Sequence, residues 1–136
     1  MKKIVAALDM SVQAKKVLEQ AVVLAKQAGG ELILYMAVED FMDVGDYFQV
    51  GAARVGEKFL EAANKAMAVY EADAKAQGAT VKVIVEQGPS PADLIVKFAE
   101  DKGVDLVVMG CRSKSGLDRI IIGSVAGMAK QSLGNM

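Results

Sequence analysis

The sequence contains no histidine and only one cysteine, Cys111. Histidine is the most common general base and the most common metal ligand in proteins. Its absence excludes Ser-His-Asp and Cys-His catalysis, and also zinc sites built on imidazole. A single cysteine can form neither an internal disulfide nor a multi-cysteine metal site. We therefore predict no catalytic residue from these residue types.

The chain also lacks a strong charge of either sign and any long apolar run. Its 16 Lys and Arg residues and 17 Asp and Glu residues give a net charge of −1, so it has no basic field of the kind that binds nucleic acid. The apolar run that begins at Ile4 ends at Asp9, too short for an export signal, and no stretch approaches the roughly 18 residues of a transmembrane helix. We expect a cytoplasmic protein with no nucleic-acid or membrane partner.

What the sequence does contain is an alternation of strand and helix patterns. With 136 residues, 53% of them hydrophobic, the chain is expected to form a single domain over residues 1–136. Strands are predicted over residues 3–8, 31–38, 80–86 and 104–109. Helices are predicted over residues 14–28, 53–77 and 91–102, and from near Gly123 to about Leu133. Ser11 and Ser90 are predicted to cap the first and third helices.

This order predicts an α/β protein with an open, doubly wound parallel sheet. In such sheets, ligands bind beyond the carboxyl ends of the strands, at the point where the strand order reverses. Candidate binding residues should therefore follow the first, second and fourth strands.

Two glycine-bearing points, at Gly110 and Gly123, bracket residues 110–125 after the fourth strand. Small residues let backbone N–H groups approach an anion, and we expect Gly123 to open a helix whose N-terminus favours negative charge. The hydroxyl of Ser124 and the charge of Arg112 would complete a phosphate cradle. The alternative is an ordinary turn in which Gly123 only caps the helix. The segment is neither a P-loop nor a dinucleotide fingerprint.

Asp9 ends the first strand, where its carboxylate could accept hydrogen bonds from a ribose or an adenine. The alternative is a turn former that pairs with Ser11. The residue types alone leave both interpretations open.

Several motifs together resemble the signature of the universal stress protein family: Gly, two residues, Gly, nine residues, then Gly-Ser/Thr. The matching residues are Met109-Gly110-Cys111-Arg112-Ser113, a nine-residue spacer and Gly123-Ser124-Val125. Leu8-Asp9-Met10-Ser11, Val38 and Gly88 fall where other motifs of the family fall. The resemblance covers nearly the whole chain.

The resemblance implies an adenine-nucleotide-binding fold of the adenine-nucleotide α-hydrolase type, with flavodoxin-like layering, strand order 3-2-1-4-5 and a homodimer. The implied ligand is ATP or a related adenine nucleotide, with Mg²⁺ on the phosphates. The implied site residues are Ala7, Asp9, Val38, Met109, Gly110, Arg112, Ser113, Gly123, Ser124 and Val125. Asp9 would meet the adenosine, the backbone of Val38 would hold the adenine edge, and Ala7 and Met109 would line the pocket.

Two departures from the family pattern change these expectations. Ser113 stands where the signature has its second glycine, which costs about 1 kcal/mol if that position needs positive φ. The Pro-Val-rich fifth strand that follows the last helix in the family has no counterpart after Leu133. We therefore expect a sheet of order 3-2-1-4 with an open edge on its fourth strand, and a homo-oligomer that uses another interface.

The leading hypothesis is an adenine-nucleotide-binding stress-response module that acts through dimerisation or a partner. One alternative is a nucleotide-free interaction protein of the same fold. Another is a slow ATP hydrolase in which Asp9 or Asp118 orients water.

Overall fold

The computed structural model describes residues 2–39, 49–112 and 118–124. The strands are β1 (Lys3–Ala7), β2 (Glu31–Glu39), β3 (Val81–Gly88), β4 (Leu106–Arg112) and β5 (Asp118–Ser124). The helices are α1 (Ala14–Ala28), α2 (Gln49–Ala76) and α3 (Pro91–Asp101). No helix among these residues is both long enough and apolar enough to cross a membrane.

The strands form one sheet in the order β3-β2-β1-β4-β5. β1 to β4 are parallel, and β1 lies at the centre, with Ile4 in register with Leu32 of β2 and with Leu106 of β4. The chain moves from β1 outward to β3 on one side and returns to β4 on the other, so the strand order reverses between β1 and β4. The predicted α/β class and the parallel order 3-2-1-4 are confirmed.

Helices cover both faces of the sheet. Ile4, Ala6 and Leu8 pack on the face covered by α1 and α2, whereas Val5 and Ala7 pack on the face covered by α3. Because β1 is buried on both faces, its apolar residues run continuously instead of alternating with polar ones.

The two predicted helix caps have different outcomes. Ser90 caps α3 as predicted, since its Oγ accepts a hydrogen bond from the Asp93 amide at 3.4 Å and Pro91 takes the first helical position. The prediction for Ser11 is wrong: α1 begins at Ala14, with Gln13 as its N-cap residue. The physical reason is that a local turn competes with the helix cap for Ser11. The Ser11 amide and hydroxyl both donate hydrogen bonds to Asp9 Oδ1, which forms a turn immediately before the helix.

The fifth strand corrects the prediction for the end of the chain. β5 pairs antiparallel with β4, from Arg112 opposite Asp118 to Leu106 opposite Ser124. Gly123 and Ser124 therefore lie in a strand and not at the start of a helix. The run of three isoleucines before Gly123 favours a strand, and an antiparallel partner needs only a short connection.

The predicted open edge on β4 is also wrong, because β5 covers it. This strand ends at Ser124, where the last helix was predicted to begin, whereas the fifth strand implied by the resemblance would follow that helix. Residues 125–136, which hold the rest of the predicted helix, lie outside the described residues.

Candidate functional site

A cleft of about 260 Å³ opens beyond the carboxyl ends of β1 and β4. It lies where the strand order reverses, the usual place for a ligand in an open α/β sheet. Its walls are formed by the turn after β1, the first turns of α1 and α3, part of β2 and the end of β4.

The structure brings four of the predicted site residues together. Ala7, Asp9, Met109 and Gly110 all line the cleft. Val38 does not: it is buried in β2 on the face of α1 and α2, on the other side of the sheet from the neighbouring cleft residue Ala37.

The second half of the predicted phosphate cradle lies elsewhere in the described structure. Gly123 pairs with Val107 and Ser124 with Leu106, three and four positions before Gly110 along β4. At about 3.3 Å per residue, this separation is roughly 10–13 Å. The described structure therefore does not place Gly123 and Ser124 beside the cleft.

Of the three remaining positions of the predicted cradle, the structure describes one. Arg112 is the last residue of β4. Ser113 and Val125 lie outside the described residues.

Asp9 is held in place from two directions. Its Oδ1 accepts hydrogen bonds from the Ser11 amide at 2.9 Å and from the Ser11 hydroxyl. The Tyr70 hydroxyl on α2 donates to the Asp9 carbonyl oxygen at 3.0 Å. Partial burial, and secondarily the charge of Asp9, raise the pKa of Tyr70. Asp9 is therefore a turn former, one of the two interpretations left open by its sequence.

The Asp9 turn still leaves chemistry available to a ligand. Among the described residues, Ser11 alone donates to the Asp9 carboxylate, and the acceptor of both hydrogen bonds is Oδ1. Asp9 is an exposed residue, and its other oxygen, Oδ2, can accept a hydrogen bond from a ligand hydroxyl or amino group. The structural and binding roles of Asp9 are compatible.

Tyr35 of β2 lines the cleft, and its side chain lies on the face of the sheet that α3 covers. Its ring stacks on Phe98 with a centroid distance of 4.6 Å and an interplanar angle of 26°. Its hydroxyl donates to Glu86 Oε1 at 2.7 Å. Burial, followed by this hydrogen bond and the charge of Glu86, raises the pKa of Tyr35 well above its usual value. Tyr35 therefore places an aromatic ring, stacked on Phe98, at the back of the cleft.

The lining of the cleft also includes residues that the sequence did not predict: Tyr35, Gln13 and the wall formed by Pro91, Ala92 and Ile95. A signal existed for the α3 wall: every helix that follows a parallel strand begins at the carboxyl edge of the sheet, so residues after β3 also face the site. Tyr35 lies within an apolar strand and looks like any core aromatic in the sequence.

The side chains that line the cleft are mostly apolar, with a few polar groups among them. Asp9, Ser11 and Gln13 provide the polar side chains, and no Lys or Arg of the described residues lines it. The N-termini of α1 and α3 add partial positive charge at the same end of the sheet. The described residues contain no group of three or more His, Cys, Asp or Glu side chains that could hold a metal ion. This arrangement suits a flat, weakly polar group that donates hydrogen bonds.

Comparison with known proteins gives the family. The model of the universal stress protein family matches residues 1–127. The chain is 33% identical over 118 residues to universal stress protein MJ0531 of Methanocaldococcus jannaschii, covering 87% of this chain and 67% of that one. It is 33% identical over 138 residues to universal stress protein YxiE of Bacillus subtilis, covering 95% and 91%.

Solved structures agree with this result. The structure of MJ0577 of Methanocaldococcus jannaschii matches with a TM-score of 0.70 and 28% identity over 96% of this chain and 88% of that one. A universal stress protein in complex with cAMP matches with a TM-score of 0.51 and 23% identity over 78% and 73%, which shows a shared fold. From its sequence, its sheet and these relatives, the chain belongs to the universal stress protein family.

Proposed function

We propose that the cleft between β1 and β4 binds an adenine nucleotide. The observation that carries the proposal is the meeting of Asp9 and Gly110 in one cleft at the reversal of strand order. The family supports the ligand class, and one protein of this fold has been solved in complex with cAMP.

The volume and the apolar walls of the cleft suit the nucleoside part of the ligand better than its phosphates. A volume of about 260 Å³ lies just below the usual range of ligand sites and suits a base and a sugar better than a complete nucleoside triphosphate. Apolar walls would hold the purine, and Asp9 Oδ2 would accept a hydrogen bond from the ribose or the base.

The phosphates should point away from Asp9, because the carboxylate repels them and no described cation lines the cleft to offset that repulsion. They would extend along the end of β4, which carries Arg112. We propose that Mg²⁺ binds to the phosphates and has no ligand from the protein.

The protein would act as a binding module in the cytoplasm, as a homo-oligomer or with a partner that senses occupancy. Met10 and Val12 lie on the turn that holds Asp9, with 48% and 91% of their surfaces exposed. Exposed apolar side chains at the rim of a binding site are suited to report its state to another protein.

Asp9→Ala is expected to weaken ATP binding about tenfold or more, since a hydrogen bond to a charged group contributes about 1.5–3 kcal/mol. Isothermal titration with ATP and Mg²⁺ measures the change. Asp9→Asn keeps an oxygen for the Ser11 turn and should fall between wild type and Asp9→Ala. Asp101→Ala, an exposed carboxylate at the far end of α3, should bind like wild type.

The proposal is contradicted if the wild-type protein gives no heat with ATP, ADP, AMP, adenosine or cAMP up to millimolar concentrations. Equal binding by wild type and Asp9→Ala would contradict the proposed contact between Asp9 and the nucleotide.

A further inference from the structure

The side chain of Gln13 lies directly over Gly110 at the end of the cleft. A methyl group built on Gly110 would meet Gln13 Oε1 at 2.7 Å, Cδ at 2.9 Å and Cγ at 3.4 Å. Backbone conformation does not require glycine here, because the described glycines with positive φ are Gly29, Gly78 and Gly103. The missing side chain of Gly110 therefore makes room for the carboxamide of Gln13.

The backbone of Gln13 is fixed, but its side chain does not serve its own helix. Its carbonyl oxygen accepts the first α1 hydrogen bonds, from the Lys16 amide at 3.0 Å and the Val17 amide at 3.2 Å. Although Gln13 is the N-cap residue, its side chain forms no capping bond. Short Ser, Thr, Asp and Asn side chains are the usual caps. The longer carboxamide of Gln13 instead reaches β4.

We propose that Gln13 closes the free cleft at Gly110 and that a bound nucleotide displaces its carboxamide. This inference rests on the proposed function. A ligand atom and the carboxamide cannot both occupy the space over Gly110, so a ligand that reaches the backbone there must move Gln13. The carboxamide ends a half-buried side chain, so it can leave by rotation about its own side-chain bonds, at the cost of the contacts that hold it and without a change in the α1 backbone.

Closure by Gln13 lowers the apparent affinity for the nucleotide. When only a fraction of molecules has an open site, the measured Kd rises in inverse proportion to that fraction. Removal of the carboxamide should therefore tighten binding, which is the reverse of the result expected for a residue that contacts the ligand.

The first test is isothermal titration of wild type and Gln13→Ala with ATP and Mg²⁺. We expect Gln13→Ala to lower Kd about threefold to tenfold, the effect of releasing one ordered side chain. Gln20→Ala removes the same residue type from an exposed position of α1 away from the cleft and should leave Kd unchanged. An unchanged or higher Kd for Gln13→Ala would overturn the inference.

A second test needs no ligand. Gly110→Ala should lower Tm by about 2–5 °C in the wild-type background, because the new methyl group meets the carboxamide. In a Gln13→Ala background the space is empty, and the same substitution should lower Tm by about 1 °C or less. Equal losses in both backgrounds would overturn the inference and leave the proposed function intact. If neither wild type nor Gln13→Ala binds ATP, the proposed function fails, and the displacement step fails with it.

Discussion

Replacing Gly30 with alanine is expected to destabilise the protein by about 2–4 kcal/mol, measured by urea unfolding. The new Cβ would lie 2.4 Å from the carbonyl oxygen of Lys2 and 3.2 Å from its carbonyl carbon. That oxygen accepts the Glu31 amide at 2.9 Å, beside the first paired residues of β1 and β2. Because the clash is with backbone, no side-chain rotation can relieve it.

The neighbouring glycine provides a matched control. Gly29 has a φ of 63°, yet a Cβ built on it meets no atom within 4 Å. Gly29→Ala therefore adds only backbone strain, about 1 kcal/mol. If Gly30→Ala proves no more destabilising than Gly29→Ala, the described contact between Gly30 and Lys2 is wrong.

Replacing Tyr35 with alanine is expected to cost about 3–5 kcal/mol of stability, the usual effect of deleting a buried aromatic side chain. Tyr35 is fully buried, stacks on Phe98 and hydrogen bonds to Glu86. Tyr35→Phe keeps the ring and removes only the hydroxyl, so we expect a loss of about 1–2 kcal/mol. Similar losses for the two variants would contradict a major contribution from the ring.

The pH dependence of stability provides an independent test of Tyr35. Its pKa is raised in the folded protein, whereas the unfolded chain has the ordinary value of about 10. The protonated hydroxyl therefore contributes stability that is fully present below about pH 10 and is lost as pH rises further. Wild type should lose more stability than Tyr35→Phe between about pH 9 and pH 11, and parallel profiles would contradict the raised pKa.

The parallel part of the fold could be predicted from the sequence because its signals are local. β1 is buried on both faces and appears as an unbroken apolar run. The pair Ser90-Pro91 marks the start of α3 through its own capping chemistry. The alternation of these elements then leaves few topologies to choose from.

The fifth strand could not be predicted in the same way. Gly123 and Ser124 carry the residue types of a helix start, but the isoleucines before them favour a strand. Which tendency prevails depends on pairing with β4, and a local pattern does not contain that pairing. The same segment held half of the predicted cradle, and its pairing with β4 places Gly123 and Ser124 opposite Val107 and Leu106.

The site itself was predictable in part. Asp9 follows β1 and Gly110 lies near the carboxyl end of β4, and adjacent parallel strands bring their carboxyl ends to one edge of the sheet. The position of Gln13 over Gly110 depends on how α1 packs against β4. No residue spacing reports such a contact, so only the structure could show it.

Binding of an adenine nucleotide between β1 and β4 can be tested directly in solution. The most direct measurement is a titration of ¹⁵N-labelled protein with ATP and Mg²⁺, followed by amide chemical shifts. Binding at this site is expected to produce saturable shifts for amides of residues 7–13, 35–37 and 109–110, with α2 and β3 little changed. Absence of shifts, or shifts confined to α2 and β3, would contradict it.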